Sequence, residues 1–422
     1  MIHITRQAPS SPGSRPDAEP SPITFRFRPL TEPPVARPRT RSDTGAVRTA
    51  TVTAAAVATT LLGAGAAAAA AGRLAADAAL RPAPGRPLPG SPRLTVHSTA
   101  PGSVALTRSL ASLRPGTYGL AAPGVHAVVG EVLDRADRDP DTVVRRLLAV
   151  THGSLDPGIR VALTPQVHLG DPGSALGLEF ADVDVPGELG GMPAWFVPGA
   201  RATWVIAIHG LGAGREHPMV AMPLLHRLGL PVLALAYRGD LGAPASPDGL
   251  GHLGESEWRD VDAAIRYALR YGARRVILHG WSTGAAMALH TVERSALADR
   301  ISGLVLDSPV LDWHATLRAL AAARHTPAPL LPLAVRAAEG RAGLRAGHRA
   351  PGEDPRALRV PVLLFHGPDD TIAPWEPSRR LAAARPDLVT LQTVPGAPHG
   401  AMWNAGPERY EEALRRFLTP LM

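Results

Sequence analysis

From about residue 174 onward, short apolar runs alternate with helix-length stretches of mixed polarity; before that point the pattern is irregular. The runs TWVIAIHG (203–210), PVLALAYRG (231–239), RRVILHG (274–280), GLVLDSP (303–309), PVLLFHG (361–367) and LVTLQTVPG (388–396) are Leu-rich or β-branched and end at Gly or Pro. Such unbroken runs predict strands covered on both faces. ALGLEFADVDV (175–185) and MPAWFVPG (192–199) instead alternate apolar with polar and have no helix between them, as an antiparallel pair at a sheet edge would. SEWRDVDAAIRYALRYG (256–272) and GAAMALHTVERSALADR (284–300) carry apolar residues at helical spacing, and Gly272 punctuates the first. The expected fold class is therefore α/β: a doubly wound, mostly parallel eight-stranded sheet over 174–422, with a site at the C-terminal ends of its strands.

The N-terminal part reads differently. Residues 1–48 are rich in Pro, Arg, Ser and Thr, a composition too poor in large apolar groups to offset the entropy of ordering, so a disordered tail is expected. Residues 49–72 are 24 uncharged positions, TATVTAAAVATTLLGAGAAAAAAG. At about 1.5 Å per residue such a helix would span a bilayer core of roughly 30 Å. Because Ala, Gly and Thr contribute little transfer free energy, a transmembrane helix, a cleaved signal and an Ala-rich linker all stay open. Arg37, Arg39, Arg41 and Arg48 precede the segment, favouring a cytoplasmic N-terminus. The rest of the chain would then be membrane-anchored outside the cytoplasm, or secreted; with a linker it would be cytoplasmic. A Pro-rich linker (73–92) leads to a small accessory region (93–173) of mixed structure, with strands at LTVHS and SVALTR and a helical stretch around TVVRRLLAV (142–150).

Composition removes several classes of function. With no cysteine, thiol nucleophiles, disulfides and zinc-thiolate sites are excluded. The net charge of +7 comes from Arg alone, scattered without a dense run, and only 4% of residues are aromatic, so no nucleic-acid partner is expected. The absence of Lys beside abundant Ala, Pro, Gly and Arg fits the codon usage of a GC-rich genome.

Gly280-Trp281-Ser282-Thr283-Gly284 matches the Gly-x-Ser-x-Gly pattern, lying between a buried-strand run and an amphipathic helix. That context predicts a tight strand-to-helix turn presenting Ser282 at the top of the sheet. A serine hydroxyl needs a base and the base an orienting carboxylate. His399 lies in a Gly- and Pro-bounded loop after the last strand, and Asp369 and Asp370 follow the strand before it. Asp307, at the end of GLVLDSP, is a rival acid.

These motifs, in the order Ser, Asp, His, resemble the α/β-hydrolase fold family, within the group holding serine aminopeptidases, monoacylglycerol lipases and esterases. The resemblance covers residues 174–422. It implies Ser282 as nucleophile, His399 as base and Asp370, the position matching the family's acid, in preference to Asp369. His209-Gly210-Leu211-Gly212 is similar to the family's oxyanion loop, which implies that the amides of Leu211 and Thr283 receive the oxyanion. Tyr237, Arg238, Gly239 and Asp240 resemble a segment that shapes the pocket wall, with an ordinary turn as the alternative. Trp281 and Trp313 are candidates for an acyl pocket or for packing alone. Residues 312–358 are long enough for a small helical cap that would select substrate. The resemblance thus implies a serine hydrolase acting on a carboxylic ester or thioester of a small-molecule acyl substrate, needing no metal or cofactor. A peptidase or amidase and a non-catalytic binding protein of the same fold are the alternatives.

Overall fold

The computed structural model describes residues 70, 72–74, 76–78, 80–82, 92–134, 139–344 and 350–422. The expected eight-stranded sheet is present, in the order β14-β13-β12-β11-β9-β10-β8-β7. Strands β9 (Thr203–Ile208), β10 (Val232–Leu235), β11 (Arg275–Trp281), β12 (Ile301–Asp307), β13 (Val362–His366) and β14 (Val389–Thr393) run parallel. The alternating pair, β7 (Ala181–Pro186) and β8 (Gly191–Val197), forms the antiparallel edge.

The helices that accompany the sheet are α1 (Pro172–Leu176), α2 (Met222–Arg227), α3 (Trp258–Arg270), α4 (Thr283–Arg294), α5 (Trp313–Ala323), α6 (Leu331–Arg341), α7 (Glu376–Ala384), α8 (Met402–Ala405) and α9 (Pro407–Leu418). Val261, Ala264, Ile265 and Ala268 of α3 pack with Ala285, Ala288 and Leu289 of α4 on one sheet face. Leu224 and Leu225 of α2 and Leu414 and Leu418 of α9 pack on the other. Burial on both faces explains why the central strands are apolar at most positions rather than at every second one.

The accessory region is a closed six-stranded β-barrel. Its strands are β1 (Arg93–Ala100), β2 (Ser103–Thr107), β3 (Tyr118–Ala122), β4 (Val125–Val132), β5 (Thr142–His152) and β6 (Arg160–Thr164), in the order β1-β2-β5-β4-β3-β6. The helical stretch expected at 142–150 is corrected to strand β5. Val143 and Arg145 are fully buried while Val144 and Arg146 are not, and the charge of Arg145 hides this two-residue alternation in the sequence. Buried Arg145 donates to the carbonyls of Ser112 (3.0 Å), Arg114 (2.6 Å), Gly116 (2.8 Å) and Gly130 (2.9 Å), and its guanidinium stands 5.7 Å from the Tyr118 ring centroid. Gly130 is free to accept because the β4–β5 register slips between Val129 and Val132.

The membrane-spanning expectation is also corrected. Among the described residues no helix is long and apolar enough to cross a membrane. The candidate segment lies outside the described residues apart from Ala70 and Gly72, and the residues immediately after it pack on protein. A Cβ added to Gly72 would come within 3.2 Å of the Leu333 backbone. Ala76 and Leu80 are buried with Leu250, Leu253 and Trp313, and Asp77 pairs with Arg341 at 3.0 Å. The expected tail, 1–48, lies wholly outside the described residues.

Candidate active site

Strand β11 turns into α4 through Ser282, whose backbone is left-handed (φ 54°, ψ −115°), a conformation that costs a non-glycine residue of order 1 kcal/mol or more. The turn closes only because its flanks lack side chains. A Cβ on Gly280 would collide with the Gly284 carbonyl, and one on Gly284 with the Ile208 carbonyl at the end of neighbouring β9. The Ser282 amide donates to the Asp307 carbonyl (2.8 Å), which fixes the turn against β12.

The Ser282 hydroxyl donates to His399 Nε2 (2.7 Å), and His399 Nδ1 donates to Asp370 Oδ2 (2.7 Å). All three residues are buried. The structure therefore brings together the three side chains that the sequence places far apart. Asp369 is elsewhere, exposed and accepting from the Gly396 amide (2.7 Å). Asp307 is buried but does not hold the imidazole. Its Oδ1 accepts from the Ser308 hydroxyl (2.9 Å), and burial pushes its carboxyl up to about 7.

Asp370 is held on every side. Its Oδ1 accepts from the amides of Ile372 (2.9 Å) and Ala373 (2.8 Å), and Oδ2 also accepts from His366 Nε2 (3.1 Å). Burial alone would raise the carboxyl; the adjacent His399 and His366 outweigh it and hold Asp370 well below the usual carboxylate range. Burial likewise pulls the His399 imidazole down, but Asp370 outweighs it and leaves the net shift upward.

Several residues around this chain of hydrogen bonds were not singled out from the sequence. His366, whose Nδ1 accepts from the Ser378 hydroxyl (2.8 Å), ends the apolar run of β13, and its place before the Gly was the available signal. His217, lowered to about 4 by burial and hence neutral, donates from Nε2 to the Gly400 carbonyl (2.9 Å), while the Gly400 amide donates to Ser308 Oγ (3.0 Å). The residue after His399 is thus pinned at both ends of its peptide. We expect His366→Ala to lower kcat by about 10- to 100-fold, with KM little changed, for any turnover that runs through the Ser282–His399–Asp370 chain, since it removes a donor that holds the Asp370 carboxylate. Steady-state kinetics would show an unchanged kcat if Asp370 needed no such support.

The loop after β9 comes close to the serine. A Cβ on Gly210 would lie 2.7 Å from Ser282 Cβ. His209 donates from Nδ1 to the Gly210 carbonyl (3.0 Å) and from Nε2 to Asp240 (2.8 Å), and stacks on Tyr237 at 4.5 Å. Burial opposes its protonation, yet Asp240 outweighs it and leaves the net shift upward; with one ring nitrogen engaged by the Gly210 carbonyl and the other by Asp240, neither faces Ser282 as a base. Asp240 also accepts from the Tyr237 amide (2.8 Å), and Arg238 is bound to buried Asp260 (2.7 and 2.8 Å). Gly239 takes a left-handed turn (φ 91°) within this segment. The amides of Leu211 and Thr283 have no acceptor among the described residues, which leaves both available near Ser282.

Above Ser282 and His399 is a cavity of about 590 Å³. It is lined by the His209–His217 loop and, opposite, by the barrel, including Ala121, His126 and Gln166. Helices α5 and α6, in the segment expected to form the cap, contribute nothing to this lining. Trp281 is fully buried, stacked 3.9 Å from His279, and Trp313 is buried beside Leu80 and Leu253, so neither faces this cavity. The barrel is fastened to the histidine loop. Asn404 Nδ2 donates to the carbonyls of Thr117 (2.8 Å) and Pro165 (2.9 Å), its carbonyl accepts from the Thr117 amide (2.9 Å), and Ala401 sits in the barrel core.

Comparisons with known proteins respect this division. A family model described as alpha/beta hydrolase fold matches residues 203–338. A second, described as a domain of unknown function, matches 95–164, within the barrel. Uncharacterized proteins from two strains of Mycobacterium tuberculosis are each 31% identical over 244 residues, covering 55% of this chain and 75% of their own. An esterase of Pyrococcus furiosus is similar in fold, with a TM-score of 0.50 and 22% identity, over 61% of this chain and 95% of its own.

Proposed function

The chain belongs to the α/β-hydrolase fold family, and from that premise we propose that it is a serine hydrolase cleaving a carboxylic ester or thioester through an acyl-enzyme. The observation that carries this reading is the unbroken hydrogen-bond chain Ser282–His399–Asp370 at the floor of a cavity. The serine's strained backbone belongs with it, because strain of this kind persists where the fold holds a side chain in a working position.

In this reading Ser282 Oγ attacks the substrate carbonyl carbon as its proton passes to His399 Nε2. Asp370 stays ionised and stabilises the imidazolium. The oxyanion takes hydrogen bonds from the Leu211 and Thr283 amides, a contribution of about 3–4 kcal/mol for a donor in comparable sites. The alcohol or thiol leaves with the proton from His399. Water, deprotonated by the same imidazole, then attacks the acyl-enzyme and frees the acid. The mechanism requires neither metal nor organic cofactor.

A fluorophosphonate should label the native protein at Ser282. The pH profile has a defined sign. His399 accepts the serine proton only when neutral, and Asp370 raises its affinity for protons. The rate constant kcat/KM for 4-nitrophenyl acetate should therefore climb with pH through a value above the ordinary histidine pKa and then level off. A folded protein that takes no label, or hydrolysis indifferent to pH between about 5 and 9, is incompatible with this assignment.

A further inference from the structure

The cavity over Ser282 has an unusual opposite wall. Within the barrel, Tyr118, Leu120, Ala127, Val129, Val161 and Leu163 point inward. Period-two alternation therefore turns Gly119, Ala121, His126 and Thr164 outward. Cross-strand register puts His152, His126, Ala121 and Ala162 in one row, from β5 through β4 and β3 to β6. Three of these, His152, His126 and Ala121, line the cavity. Small side chains on this face leave room that a larger residue would fill. His126 is immobilised, with Nδ1 bonded to Thr151 Oγ1 (2.5 Å) and Nε2 to the Gln166 carbonyl (3.1 Å).

On the hydrolase side the cavity holds three charged side chains near its wall. Asp240 is taken by His209, and Glu216 folds over Gly214, where an added Cβ would lie 2.5 Å from its Oε2. Arg215 differs. Its guanidinium is stacked 4.2 Å from the Trp195 ring centroid, and its Nη1 is buried without a hydrogen-bond partner among the described residues. The Asp182 carboxylate, 3.8 Å away and mostly exposed, is beyond hydrogen-bond distance. Nη1 itself is sealed from solvent, but the side chain as a whole keeps 21% exposure at the cavity wall and makes no hydrogen bond among the described residues, which suits a carboxylate or carbonyl acceptor.

We propose that the barrel is the substrate-selecting wall of the cleft, and that the group it receives is bulky and carries a carboxylate bound by Arg215. The inference rests on the ester-hydrolase reading. Ala121 sets how much of the substrate fits against the barrel, and Arg215 anchors its far end. A cavity of about 590 Å³ far exceeds what an acetyl group fills.

The experiment uses the full chain and two 4-nitrophenyl ester series of matched length, one of uncharged acyl groups from acetate to octanoate, the other of hemiesters ending in a carboxylate. A companion series varies the alcohol chain of simple acetates. The native protein should favour a hemiester over its uncharged equal by tenfold or more in kcat/KM, and Arg215→Met should erase that ratio. Ala121→Trp should depress the longest members of the acyl or the alcohol series at least tenfold more than it depresses 4-nitrophenyl acetate. Acetate turnover with no carboxylate preference, or with Ala121→Trp acting equally on short and long esters in both series, overturns the proposal while leaving the hydrolase reading intact. Loss of all turnover in the native protein overturns both.

Discussion

Ser282→Ala is expected to lower kcat/KM for 4-nitrophenyl acetate on the order of a millionfold, with His399→Ala nearly as damaging and the double variant no worse than either alone. The non-additivity follows from the geometry. Ser282 and His399 share one proton along a 2.7 Å hydrogen bond, so removing either partner ends the same step. What survives should be the modest acceleration supplied by the oxyanion amides and by binding. The measurement is steady-state hydrolysis by the three variants, alongside thermal melting to show that each is folded. Activity within tenfold of native in Ser282→Ala, or independent multiplication of the two losses, would mean that the serine is not the nucleophile.

The second large effect concerns stability. Arg145→Met should destabilise the barrel by about 3–5 kcal/mol, because the carbonyls of Ser112, Arg114, Gly116 and Gly130 lose a shared, buried donor. Methionine fills much of the volume but donates nothing. Lysine would restore the charge without the planar fork that reaches several carbonyls at once, so Arg145→Lys should rescue little. Urea denaturation combined with limited proteolysis would show early cleavage within 92–164, ahead of the eight-stranded sheet. A single transition displaced by less than about 0.5 kcal/mol would count against this account.

Much of the architecture is readable in the chain because buried parallel strands must be apolar throughout, and β9 to β13 announce themselves that way. The order of Ser282, Asp370 and His399 and the strand context of each are equally local. The choice between Asp369 and Asp370 is different in kind, since nothing in the loop's own spacing separates two neighbouring carboxylates and the preference for Asp370 rests on the family resemblance. In the fold Asp370 faces His399 and Asp369 the Gly396 amide. The barrel escaped for a related reason. Its strands vary from five to eleven residues, and β5 spends an inward position on an arginine, so the alternation that marks a strand is broken where it matters. His366 and Asn404 were hidden because their roles lie in contacts, the second reaching across more than two hundred residues to Thr117 and Pro165. The segment 49–72 lies outside the described residues apart from Ala70 and Gly72; its long uncharged run meets the length of a span, while its Ala, Gly and Thr supply little of the hydrophobicity of one.

The Asn404 amide has a consequence for domain exchange. A β-barrel that is continuous in sequence and closed on itself invites treatment as a cassette, to be swapped for another and so retarget the enzyme. Yet its two attachment carbonyls, Thr117 and Pro165, are gripped by a residue five positions beyond His399, and Ala401 is part of the barrel's own core. Any transplanted barrel would have to arrive with carbonyls presented at the same two points and a hollow for one methyl group. On the proposed reading a graft lacking them would trade selectivity for a loosened general base, so recognition and turnover would be inherited as one unit.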